Sequence, residues 1–122
     1  MKKFTDLYAW QKGHSLILKT YKITDFFPEK EKFGLVSQIR RSAVSITSNI
    51  AEGFSRRTYK DKIYFYYISL GSLTELQNQL LIAIDLGYVS IDEFNVIASE
   101  SVDVNKLING LIKASRDKIH DS

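Results

Sequence analysis

Cysteine is absent from this chain of 122 residues, which excludes disulfides and thiolate metal sites. Proline occurs once, at Pro28, and glycine only six times. So few breakers leave room for long uninterrupted elements. No apolar run approaches the roughly 18–20 residues of a membrane-spanning helix. The N-terminal MKKFTDLYAW carries two lysines but no following apolar segment, so it does not read as a signal peptide. A cytoplasmic location without a membrane partner is the expectation. What the chain does have is an apolar fraction of 44% and a charged fraction of 25%, the balance of a globular protein. Its length suits one domain over residues 1–122 with a core of its own.

The net charge of +3 is unevenly spread along the sequence. Residues 1–27 contribute +3, residues 28–62 contribute +4 and residues 63–122 contribute −4. Two readings follow: a basic face for an anionic partner, or complementary helices that attract one another within the fold or between subunits.

Apolar spacing of three and four predicts four helices, over about 5–26, 33–54, 58–86 and 91–116. The first carries Leu7, Trp10, His14, Ile17 and Tyr21 as its core stripe and stops before Phe27-Pro28. The second carries Leu35, Ile39, Ile46 and Ile50, with Gly53 as its terminator. The third starts at Thr58 with Asp61 as capping partner, buries Ile63, Tyr66, Leu70, Leu73, Gln77, Leu80 and Ile84, and stops at Gly87. The fourth starts at the capping pair Ser90 and Glu93 and buries Phe94, Ile97, Ser101, Val104, Ile108 and Leu111. It is expected to end near Arg116, with a frayed tail. Four long helices with short loops predict an all-α fold, an antiparallel up-down-up-down four-helix bundle. The run Ile63–Ile68 is apolar or aromatic all round, so a second covered surface is expected there, most simply another subunit.

The stretch Gln38–Gly53 mixes isoleucines with Ser42, Ala43, Ser45, Ser48 and Asn49. Residues this small allow close helix approach, and Gly71-Ser72 of the third helix is the expected opposite surface. Two neighbouring arginines, Arg40 and Arg41, stand about 100° apart on the helix and therefore do different jobs. Arg41 or Arg40 is expected to pair with Glu75, with Asn49, Ser72 and Glu52 in the same polar network, because buried acids need partners. Glu52 and Glu75 as metal ligands or an acid/base pair is the weaker alternative. A di-metal bundle uses Glu-x-x-His motifs, and Glu52-x-x-Ser55 and Glu75-x-x-Asn78 lack the histidine. No cofactor is expected, and no Gly-rich phosphate loop or Ser-His-Asp set is present.

Several segments together resemble a known family: Leu7-Tyr8-Ala9-Trp10-Gln11-Lys12, Phe27-Pro28, Phe33-Gly34-Leu35, Gln38–Ala43, Ser45-Ile46, Asn49–Gly53, Gly71-Ser72 and Glu75-Leu76. In order and spacing they are similar to bacterial four-helix bundle proteins first noticed as open reading frames inside intervening sequences of 23S ribosomal RNA genes, often labelled ribosomal proteins. The resemblance covers about residues 4–90. It implies a four-helix bundle, pentameric rings and no enzymatic activity. A relative is an accessory subunit beside a reverse transcriptase, which implies a basic surface for nucleic acid or a nucleic-acid-processing protein.

The basic residues that suit such a surface are Arg40, Arg41, Arg56, Arg57, Lys60 and Lys62. Arginine presents a planar fork that matches phosphate. Arg56, Arg57 and Lys60 flank a helix start, where backbone N–H groups also favour anions. With Arg40, these form the predicted nucleic-acid contact. The bland alternative is solvated charge or pairing with acids on the third and fourth helices. Trp10 and the tyrosines of the third helix are read as core or subunit contact before base-stacking surfaces. The reading that results is a non-enzymatic, homo-oligomeric bundle that binds RNA or a nucleoprotein. A protein-only scaffold is the alternative.

Overall fold

The computed structural model describes residues 2–120. Four helices follow one another: α1 (Tyr8–Thr24), α2 (Leu35–Ser55), α3 (Tyr59–Asp85) and α4 (Ile91–His120). Each packs on its neighbours in the chain, and α1 closes against α4. With three short connections this makes an antiparallel up-down-up-down bundle. Short 3-10 turns at Phe4–Asp6 and Glu29–Glu31 precede α1 and α2.

Local chemistry explains the boundaries. Thr58 accepts the Asp61 N–H at 3.1 Å at the start of α3, and Ser90 accepts the Glu93 N–H at 3.1 Å at the start of α4. Gly87, with φ of 78°, lets the chain leave α3 in the left-handed region, and the Tyr88 N–H returns to the Ala83 carbonyl at 3.0 Å. Gly53 does not play that part. It lies inside α2 without a positive φ, and the helix runs on to Ser55. Two ends differ from expectation in length. Leu7 is extended, with φ of −73° and ψ of 130°, so α1 starts only at Tyr8. The last turns of α4 do not fray at Arg116, because Ile112 and Ser115 are buried and Arg116 donates to the Tyr67 hydroxyl at 2.7 Å.

The core is built from Leu16, Ile39, Ile46, Ile50, Leu73, Leu76, Leu80, Ile97 and Ile108, all essentially inaccessible. The stripe of α1 is rotated from the expected one. Ala9, Gly13, Leu16, Thr20, Ile23 and Thr24 face inward beside Ile17, whereas His14 and Tyr21 are exposed. Thr20 and Thr24 donate their hydroxyls to the Leu16 and Thr20 carbonyls at 2.7 and 2.8 Å, which lets them bury as if apolar. Trp10 is half-buried and stacks on His14 at 4.7 Å.

Close helix approach occurs where glycine permits it. A Cβ at Gly53 would stand 2.7 Å from the Tyr66 ring and 3.1 Å from the Lys62 carbonyl, and one at Gly13 would stand 2.9 Å from Thr47. Gly71 is not such a site. It faces open space, so the expected approach of α2 to this glycine does not occur. Its neighbour Ser72 makes the contact instead, hydroxyl to hydroxyl with Ser45 at 2.8 Å.

Candidate nucleic-acid interface

The polar residues predicted on α2 and α3 form two separate groups. Arg41 pairs with Glu75 and also donates to Gln38. Asn49 donates to the Ser45 carbonyl and hydroxyl at 2.8 and 3.1 Å, and Ser45 meets Ser72. Glu75 is not buried, however; its side chain is 42% exposed. Glu52 is absent from both groups. It lies on the surface, 3.3 Å from Arg56 one turn later, and accepts from Ser55. Glu52 and Glu75 therefore do not converge. Among the described residues no three His, Cys, Asp or Glu gather as a metal site. The buried acid is one the sequence did not reveal: Glu100 on α4, 5% exposed, held by the Lys19 ammonium at 2.6 Å, with Oε1 unpartnered.

Arg40 belongs to the fold and not to a free basic surface. Its guanidinium donates to the Thr24 hydroxyl at 3.0 Å, the Tyr21 carbonyl at 3.3 Å and the Asp25 carboxylate at 2.8 Å, while lying over the Tyr21 ring. It ties the last turn of α1 to α2. Arg56 is partly engaged by Glu52 and by the Phe65 ring at 4.5 Å. Arg57 and Lys60 are exposed and pair with no described residue. Lys62 donates to the Phe54 carbonyl at 2.5 Å, closing the end of α2, and desolvation lowers its pKa from the ordinary lysine value.

The antiparallel topology brings further cations to the same end. The α2–α3 turn, the segment before α1 and the last turns of α4 lie together there. When each helix is divided at its midpoint, this half of the described bundle holds eleven Lys or Arg against four acids. The opposite half holds six against nine. Lys113, Arg116 and Lys118 on α4 belong to the basic end, although their part of the sequence is acidic in total. At this end lies a cleft of about 350 Å³, walled by Leu7, Phe54, Tyr59, Tyr66, Leu111 and Ala114, with Lys62, Ser115 and Lys118 also on its lining. Burial, with the neighbouring Tyr59 adding to it, raises the pKa of the Tyr66 hydroxyl.

The α3 face that was expected to be covered carries Tyr64, Tyr67 and Ile68 at 63, 49 and 37% exposure, with Gly71 beside them. No helix among the described residues is long and apolar enough to cross a membrane.

Comparison with known proteins places these features in context. The sequence model of the family described as 23S rRNA-intervening sequence protein matches residues 5–110. A solved structure from Bacteroides thetaiotaomicron VPI-5482, described as a protein of unknown function from the S23 ribosomal protein family, superposes with a TM-score of 0.79 at 26% identity. The match covers 86% of this chain and 98% of that one. No curated protein matches.

Proposed function

The chain belongs to the 23S rRNA-intervening sequence protein family, and from this membership and the sorting of charge by bundle end we propose a non-enzymatic assembly protein that binds RNA or other nucleic acid through its basic end. The observation that carries the reading is the pair Arg57 and Lys60, exposed and unpaired among the described residues, in a half of the described bundle with eleven cations against four acids. Its mechanism is electrostatic. Lysines and arginines neutralise phosphates and release condensed counterions, which favours binding with little sequence readout. Loops and helix ends present the charges, so the partner approaches the end of the bundle and not its side.

Self-assembly is part of the proposal. Tyr64, Tyr67, Ile68 and the open Gly71 give α3 an apolar outward face that a second copy would cover. The resemblance to the family points to a ring of five in the cytoplasm. That same face favours the second reading, a scaffold whose only partners are proteins. RNA binding measured at two salt concentrations separates the two. The proposal requires affinity that falls steeply with salt, and a smaller dependence when Arg57 and Lys60 are both changed to alanine. Absence of binding at low salt, or affinity indifferent to salt, leaves the scaffold.

A further inference from the structure

The cleft at the basic end holds two hydroxyls that the fold leaves unused. Tyr66 is 2% exposed and Ser115 is 6% exposed. Neither hydroxyl bonds to a described residue, and neither is sealed from solvent. Thr20, Thr24, Ser69 and Ser101 donate to helix carbonyls, and the Ser42 hydroxyl, also without a described partner, is sealed in the core and faces no cleft. The hydroxyls of Tyr66 and Ser115, unlike that of Ser42, are open to a partner from outside, and the cleft that both residues line is this one. Aromatic rings stand beside them, from Phe54 and Tyr59, and the Lys118 side chain is exposed at the rim.

We infer that this cleft receives one unpaired nucleotide of a single-stranded nucleic acid, its base among Phe54, Tyr59 and the hydroxyls of Tyr66 and Ser115, its phosphate against Lys118. The inference rests on the nucleic-acid reading above and specifies the form of the ligand. Each part of a nucleotide finds a matching group. A flat ring stacks on aromatic walls, base edges carry donors and acceptors for hydroxyls, and the phosphate takes an ammonium. Lys60, next to Tyr59 on the first turn of α3, and Arg57 before it are placed for the neighbouring phosphates. A paired base cannot enter without being unstacked and unpaired, which disfavours a duplex.

The test compares a short unstructured single strand with a blunt duplex of the same length, by fluorescence anisotropy at low salt. The parent protein is expected to bind the single strand about tenfold more tightly, within the range of one stacked base. Ser115→Leu fills the cleft and should remove that preference while leaving duplex affinity unchanged. Lys118→Ala changes only an exposed side chain, so it tests the site even if the leucine variant does not fold; it should weaken the single strand more than the duplex. Equal affinity of the parent for both forms overturns the inference and leaves the basic-end reading intact. So does a folded Ser115→Leu variant that keeps the preference. Binding of neither form overturns both.

Discussion

Replacing glycine by alanine within a helix ordinarily stabilises it by about 1 kcal/mol, because the backbone loses less entropy on folding. At Gly53 the structure reverses the sign. The new Cβ would stand 2.7 and 2.9 Å from two carbons of the Tyr66 ring and 3.1 Å from the Lys62 carbonyl oxygen, where apolar contacts prefer roughly 3.5–4.0 Å. Tyr66 is 2% exposed, so its ring shifts only at the cost of its other contacts, and the carbonyl belongs to the backbone of α3 and cannot turn aside. Overpacking of this kind costs about 1–3 kcal/mol; with contacts this short we take the upper end, about 3, less the helical gain of about 1. Gly53→Ala should therefore destabilise the bundle by about 2 kcal/mol. Gly110, exposed on α4, meets nothing within 4 Å, and Gly110→Ala should stabilise by up to about 1 kcal/mol. Urea titration followed by circular dichroism measures both as shifts of midpoint at constant slope. A Gly53→Ala variant as stable as the parent, or more so, would refute the close approach of α2 and α3 at this position.

Arg40→Ala removes three hydrogen bonds and the contact with the Tyr21 ring. Because the side chain is partly exposed, the expected cost in chemical denaturation is about 1–2 kcal/mol, with RNA affinity changed less than by Arg57→Ala. Lys19→Met leaves the Glu100 carboxylate buried without a partner. Stability should fall by about 1–3 kcal/mol, discounted from the buried-pair range because Lys19 is half-exposed, and Glu100→Gln in the same chain should restore part of it.

The bundle was legible because its signals are local. Thr58 with Asp61, Ser90 with Glu93, and Gly87 each mark a helix end through a bond or a backbone conformation confined to a few residues. The small residues of α2 likewise pointed to α3, and Ser45 meets Ser72 there. The rotation of α1 was hidden because Thr20 and Thr24 satisfy their own hydroxyls. A polar residue that bonds its own helix looks like surface in a sequence and packs like core. Glycine spacing could not separate Gly53, pressed against Tyr66, from Gly71 in open space, since the difference lies in the partner helix. Charge was hardest to place. Antiparallel packing folds the basic last turns of α4, from a segment of net −4, back beside Arg57 and Lys60. Only the three-dimensional arrangement shows that the asymmetry runs from end to end of the bundle.

That arrangement makes the central claim testable residue by residue. Backbone amide chemical shifts recorded during titration with a short single-stranded RNA should move at residues 55–62 and 113–120, and only slightly at residues 24–35 and 85–93. Shifts concentrated at the acidic end, or spread evenly over the bundle, would contradict the account.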